Sequence, residues 1–248
     1  MLDKIDYYVS KFFHEIYLIG GNFSTNIMKF ISLLGEMGIL FLLIGFGLAL
    51  FKRTRKIGGT ILLSIVIGFL ITNVLLKNII ARARPFTDIT SDYFKWWVDA
   101  GAVSESGYSF PSGHVTATTA FAMAILFTTR KKYSWPIIFL PILMASSRIY
   151  LMVHFFSDCL GGLTVGLVGA TISYFVLKFI YSSKWKVCVW LREFNIFKPR
   201  QKSNIKTVES KSSTNKNNGE DIPEKEENPK TSSDQGQNNT DLVKTDIK

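Results

Sequence analysis

The sequence predicts an all-α fold: a polytopic membrane helix bundle of five spans, with an N-terminal interfacial helix and a disordered C-terminal tail. Three observations lead there. The first is composition. Of 248 residues, 47% are hydrophobic and 19% charged, but the two classes are unevenly placed. The last fifty residues, Pro199 to Lys248, hold six apolar side chains, no aromatic ones, nine basic and nine acidic groups. The preceding 198 therefore carry 20 basic against 10 acidic side chains, the whole net charge of +10. They are well over half apolar, far above the soluble average. A soluble globular enzyme, a coiled coil and a disulfide-stapled secreted domain are excluded.

The second observation is a set of apolar runs near the roughly 20 residues that a helix needs to cross a bilayer. They are Phe30 to Phe51, Ile57 to Leu76, Phe110 to Thr129, Tyr133 to Val153 and Cys159 to Leu177. Residues 1–20 differ: Asp3, Lys4, Asp6, Lys11, His14 and Glu15 alternate with Ile5, Tyr7, Tyr8, Phe12, Phe13, Ile16 and Tyr17. That pattern suits an amphipathic helix lying in the interface. Its acidic start, with no clean apolar core behind it, does not suit a signal peptide. A transmembrane domain is expected over 28–180, a cytoplasmic juxtamembrane segment over 181–198, and the tail over 199–248. The tail has too little to bury to form a core.

The third observation is the placement of lysine and arginine, which orients the spans. Lys52-Arg53-Thr54-Arg55-Lys56, Arg130-Lys131-Lys132, and the cluster Lys178, Lys184, Lys186, Arg192 and Lys198 follow the first, third and fifth spans. With five spans they share one side, which is then cytoplasmic. The N-terminus and the long loop from Lys77 to about Phe110 fall outside, in a multi-pass protein of the cell membrane.

Ionisable groups that interrupt apolar runs are costly and point to function. Lys77 ends the second span, and Arg84-Pro85 follows seven residues on. If the helix continued, Lys77 and Arg84 would share a face two turns apart. Proline disfavours helix at the residue before it, so an end near Arg84 is expected. Arg82 points elsewhere and reads as a headgroup or loop contact.

The third span opens with Pro111-Ser112-Gly113-His114. Proline suits a first helical turn, and the free amides there can hold an anion. Alone, this tetrapeptide reads equally as an ordinary helix start. Ser147-Arg148, His154 and Asp158 form the last cluster. His154 and Asp158, four apart, would be neighbours on one helical face, with the carboxylate on one ring nitrogen and the other left basic. The alternative is a purely structural His–Asp pair. Arg148 needs a chain break before His154 to reach the same ligand.

All of these groups fall on the extracytoplasmic face. Several cations, a helix start, two histidines and a carboxylate suit a phosphate, and the location gives it a lipid tail. Cys159, Cys188 and the three histidines (His14, His114, His154) make no metal-ligand pattern of usual spacing. A two-metal phosphatase is not expected, and neither is a bound metal or cofactor. The expected partners are the bilayer and a membrane lipid phosphate, not nucleic acid.

Lys77 with Arg84-Pro85, Pro111-Ser112-Gly113-His114, and Ser147-Arg148 with His154 and Asp158 resemble the three-part signature of the membrane-integral type 2 phosphatidic acid phosphatase family. The resemblance covers Lys77 to Asp158 in residue type, order and spacing. It implies that the 28–180 domain is catalytic, with His154 as the nucleophile forming a phosphohistidine and Asp158 orienting it. It also implies His114 as general acid for the leaving oxygen and then base for water. Lys77, Arg84, Ser112, Gly113 and Arg148 would hold the phosphoryl oxygens. The implied activity is metal-independent hydrolysis of a lipid phosphate or pyrophosphate, with undecaprenyl pyrophosphate first. Phosphatidylglycerol phosphate, phosphatidate and diacylglycerol pyrophosphate are the alternatives. A non-enzymatic lipid-phosphate binder or transporter would need the cations but not both histidines and Asp158. The aromatic stretch with Phe86, Tyr93, Phe94, Trp96, Trp97 and Tyr108 is expected as a rim or lid over the site, or as a plain interfacial anchor.

Overall fold

A computed structural model describes residues 2–184 of the chain. The expected tail, most of the juxtamembrane segment and Cys188 lie outside the described residues. Seven helices of eight or more residues build the fold, and no strand occurs among the described residues. They are α1 (Leu2–Leu34), α2 (Ile39–Leu50), α3 (Arg55–Ile80), α4 (Asp92–Asp99), α5 (Gly113–Thr128), α6 (Phe139–Tyr150) and α7 (Phe156–Ser182).

Two helices, α3 and α7, are each long and apolar enough to cross a membrane. The pair α1 and α2 would make a third span, bent by 42°, and α5 is a shorter apolar helix. The outer faces of α3 and α7 expose Val74, Ile79, Phe175 and Phe179. Apolar side chains on that surface suit a lipid solvent.

The expected first span, Phe30 to Phe51, is not one helix. α1 stops at Leu34 and α2 begins at Ile39, with Gly38 between them at φ 68°. A glycine inside an apolar run reads as span, yet here it takes the left-handed region that permits the bend. The N-terminal helix, expected over residues 1–20, runs from Leu2 to a break one residue past that end. It breaks at Gly21 (φ 50°, ψ −138°) and resumes to Leu34. Its inner face packs on α6, where Tyr150 Oη meets Ser24 Oγ at 2.7 Å and Thr25 Oγ1 at 2.9 Å.

The core is α3, α5 and α7, each packed on the other two, with α2 against α3. Small residues allow the approach of α5 and α7. A Cβ on Gly162 would lie 2.7 Å from the Ser112 carbonyl oxygen, and one on Gly166 would lie 2.6 Å from that of Thr116. In lipid there is no hydrophobic force between helices, so close backbone contact supplies the attraction. At the same interface the Ser112 N–H donates to the Asp158 carbonyl at 3.1 Å. This seam joins the start of α5 to the start of α7. The end of α3 joins them through Thr72, whose Oγ1 is 3.0 Å from Thr116 Oγ1.

Candidate active site

Three chain breaks meet at this end of the core. α3 ends at Ile80, and Ala81 turns left-handed at φ 48°. The helix therefore stops before Arg84, so Lys77 and Arg84 do not share a helical face. Arg84 is extended (φ −79°, ψ 157°), as its place before Pro85 requires. α5 begins at Gly113 with Ser112 as its N-cap residue, so Pro111 precedes the helix rather than opening it. α6 ends at Tyr150, and the chain turns through Met152 at φ 52° before His154. A left-handed non-glycine residue costs about 1–2 kcal/mol. Here the break folds the chain back on the end of α6, where the Val153 N–H donates to the Arg148 carbonyl, and sets His154 beside Arg84.

His154 is not on a helix, which corrects the expected shared face with Asp158. It precedes α7, and Asp158 sits in the first turn of that helix. The pair still forms: Nδ1 of His154 lies 3.6 Å from Asp158 Oδ2. Ser109 Oγ also approaches Nδ1, at 3.4 Å, and its hydroxyl donates to Asp158 Oδ2. The Phe155 N–H donates to the same oxygen at 2.8 Å, and Arg82 Nη1 binds Oδ1 at 2.7 Å. Nε2 faces the other way, 3.4 Å from Arg84 Nη1. Burial pulls the His154 ring down to about 4, against the upward pull of Asp158 and with Arg148 and Arg84 adding to the fall. The ring is neutral at physiological pH.

Nε2 opens on a cavity of about 330 Å³ lined by Lys77, Arg84, Gly113, His114 and His154. Ile65, Phe69 and Ala117 line it as well, so it is part cationic and part apolar. Arg84 is held by the carbonyl oxygens of Ser106 (2.8 Å), Gly107 (2.9 Å) and Val153 (2.9 Å). Such a clamp keeps a guanidinium in one orientation for an incoming anion. Ser112 is fully buried and its Oγ has no hydrogen-bond partner.

Arg148 is the expected cation that does not line this cavity. It lines a neighbouring one of about 400 Å³, which shares Glu105 and His114 with the first. Its guanidinium is bonded to Ser32 Oγ and to Glu105 Oε1. Glu105 also reaches Arg84, at 3.5 Å. Burial pushes the Glu105 carboxyl up, but Arg148, His114 and Arg84 outweigh it and hold the group below its usual range. Among the described residues, no group of three or more His, Cys, Asp or Glu side chains is arranged to hold a metal ion.

Sequence reasoning missed four contributors: Asn73 on the cavity wall, Glu105, Ser109, and Arg82. Arg82 is no headgroup contact, because it bonds Asp158 and, at 2.9 Å, Asp6. The signal for Arg82 was available. In an extended stretch successive residues face opposite ways, so Arg82 and Arg84, two apart, share a side, and they reach Asp158 and His154 respectively. None of the six aromatic residues expected as a rim lines the cavity. Trp96 stacks on His14 of α1 at 5.2 Å, and Tyr93 lies edge-on to Phe155 at 5.3 Å. They buttress α1 and the His154 turn.

Residues 58–182 match the PAP2 superfamily. The chain belongs to that superfamily. It is 34% identical over 128 residues to undecaprenyl-diphosphatase of Sulfolobus acidocaldarius, covering 51% of this chain and 57% of that protein. It is 34% identical over 155 residues to the lipid A 4'-phosphatase of Porphyromonas gingivalis, covering 60% and 62%. The matched stretch thus spans under two thirds of either relative. Among solved structures, the transmembrane PAP2-type phosphatidylglycerolphosphate phosphatase of Bacillus subtilis is 26% identical with a TM-score of 0.54. That match covers 74% of this chain and 88% of the other. The PAP2 match runs through Lys77, Arg84, His114, Arg148, His154 and Asp158, and Asp6 lies well before it.

Proposed function

We propose that this PAP2 protein hydrolyses a lipid phosphate or diphosphate through a phosphohistidine on His154, without a metal ion. One observation carries it. A neutral, buried imidazole is backed by a carboxylate on Nδ1 and points Nε2 into a cavity with two cations and apolar walls. Nε2 attacks phosphorus, and Asp158 stabilises the positive charge that grows on the ring. Lys77, Arg84 and the amide of Gly113 hold the phosphoryl oxygens, with Ser112 at the helix start and Arg148 joining once its bond to Glu105 opens. Phosphoryl transfer asks mainly for positioning and charge stabilisation, and fixed cations provide both. His114 protonates the leaving oxygen, then takes a proton from the water that attacks the phosphohistidine.

The apolar walls at Ile65 and Phe69 suit an acyl or isoprenoid chain beside the headgroup. Undecaprenyl diphosphate is the first substrate, supported by the similarity to the undecaprenyl-diphosphatase of Sulfolobus acidocaldarius. Phosphatidylglycerol phosphate, favoured by the structural neighbour, and phosphatidate are the alternatives. In the proposed topology five spans cross the cell membrane, residues 1–20 lie in the interface, the site faces outward and the tail is cytoplasmic. The basic loops at 52–56 and 130–132 support that orientation. The test is phosphate release by the purified full chain from each of these lipids, with and without EDTA. Release that survives EDTA is expected. Release abolished by EDTA and restored by magnesium would remove the metal-free mechanism, and tight lipid-phosphate binding without any turnover would make the protein a binder.

A further inference from the structure

The N-terminal helix places a charged side chain against the back of the site, outside the stretch that matches the superfamily. Asp6 is 1% exposed. Its carboxylate accepts from Arg82 Nη2 at 2.9 Å, from the Ser157 N–H at 2.8 Å and from Ser157 Oγ at 2.7 Å. Arg82 spends its other nitrogen, Nη1, on Asp158 Oδ1 at 2.7 Å and on Ser157 Oγ at 2.6 Å. The ring of Phe155 covers the guanidinium at 4.1 Å.

We propose that Asp6 is a positioning residue for the reaction, acting through Arg82 on the carboxylate of Asp158. Asp158 Oδ2 takes the donors on the His154 side, whereas Oδ1 is held by Arg82. A carboxylate that loses its Oδ1 cation is held through Oδ2 alone and can pivot on that oxygen, which changes its angle to His154 Nδ1. Arg82 keeps that post only while Asp6 fixes it, because its side chain is 26% exposed and has a route to solvent. A bare structural tie between α1 and α7 could have used any polar pair. Here a buried anion binds the one cation that, among the described residues, touches the carboxylate behind His154.

The proposal rests on the phosphatase reading, and the experiment separates the two. The full chain in lipid nanodiscs is assayed with a short isoprenyl diphosphate, measuring kcat, KM and phosphohistidine formation in wild type, D6N, D6E, R82A and the D6N/R82A double variant. D6N is expected to lower kcat and phosphohistidine formation about 10- to 100-fold, the scale of a small misplacement in a preorganised site. KM stays within about twofold of wild type, since Lys77 and Arg84 still hold the phosphate. D6E recovers part of the rate. The double variant is no slower than R82A, because residues acting in series do not add. Full additivity, an unchanged kcat in D6N, or a loss confined to KM overturns the positioning role. Should D6N fail to accumulate, S157A removes the hydroxyl that donates to Asp6 Oδ2 and accepts from Arg82 Nη1, while the Ser157 N–H and the charge of Asp6 stay in place. A loss of kcat that again vanishes in the R82A background supports the proposal, and an additive loss overturns it. A wild type inert on every lipid phosphate overturns the phosphatase reading and the positioning role with it.

Discussion

Glu105 stands between Arg84 and Arg148, 3.5 Å from the first and directly bonded to the second. Its carboxylate thus occupies two of the cations proposed above to hold phosphate. A substrate phosphoryl group carries more charge than one carboxylate and can take both guanidiniums, but only by displacing Glu105. Lys29 lines the same cavity as Glu105 and has no ion-pair partner among the described residues, so it can receive the displaced carboxylate.

The expected consequence is competition. E105Q removes the charge that the phosphate must displace, so inorganic phosphate inhibits E105Q at a lower concentration than wild type. The difference is roughly tenfold for every 1.4 kcal/mol that moving the carboxylate aside costs the wild type. The inhibition constant for phosphate, measured on both proteins, decides it. Equal or weaker inhibition of E105Q would make Glu105 a support for Arg148 instead.

Burial sets the pH behaviour of His154. Its folded pKa, about 4, lies below the ordinary value of 6.5. The unfolded chain therefore binds the proton more readily than the folded one over that window, and stability falls as pH drops from 6.5 toward 4. Above it the ring is neutral and able to attack. With three histidines in the chain, nitrogen NMR of labelled protein in nanodiscs, with H154A to assign the signal, resolves it. A His154 ring that protonates near pH 6.5 would contradict the burial.

The α5–α7 seam should tolerate no side chain. A Cβ on Gly166 meets the Thr116 carbonyl oxygen and Thr119 Cβ, both at 2.6 Å. Overpacking of this kind costs about 1–3 kcal/mol. Gly166→Ala is expected to lower the thermal midpoint in detergent and, because the seam carries the Ser112–Asp158 bond, to lower kcat. A midpoint equal to wild type would mean that the helices part without cost.

Much of this architecture was legible in the chain because its signals are local. Apolar runs located α3, α5 and α7, and charges that break those runs pointed to Lys77 and Arg84, which line one cavity, and to Arg148, which lines its neighbour. What stayed hidden is either non-local or silent. Asp6 and Arg82 are separated by 76 positions, and nothing in an amphipathic pattern says which acid faces inward. Glu105 lies in a loop without periodicity, so its place between two arginines has no spacing to announce it. The bend at Gly38 is silent for another reason: glycine is common in membrane helices, and only the backbone angle distinguishes a hinge from a packing site.

The division of labour between the two histidines gives the sharpest test. His154 has Asp158 and Ser109 on Nδ1 and the cavity on Nε2, an arrangement that serves attack on phosphorus. His114 lines the same cavity from the first turn of α5, with Glu105 near enough to act on it but no hydrogen bond or ion pair from a carboxylate to its ring among the described residues, and proton delivery is its proposed task. H154A is therefore expected to abolish turnover and the acid-labile phosphoenzyme, while phosphate still binds through Lys77 and Arg84. H114A is expected to slow phosphoenzyme formation by about 10²–10⁴-fold with a lipid alkoxide leaving group, the usual range for general acid catalysis. With an activated phenolic leaving group the departing oxygen needs no proton, so the same variant loses far less in that step. Hydrolysis of the phosphohistidine still needs a base, so H114A should accumulate phosphoenzyme from the phenolic substrate. Equal losses on both leaving groups, with no accumulation, would assign His114 to binding and leave proton transfer to another group.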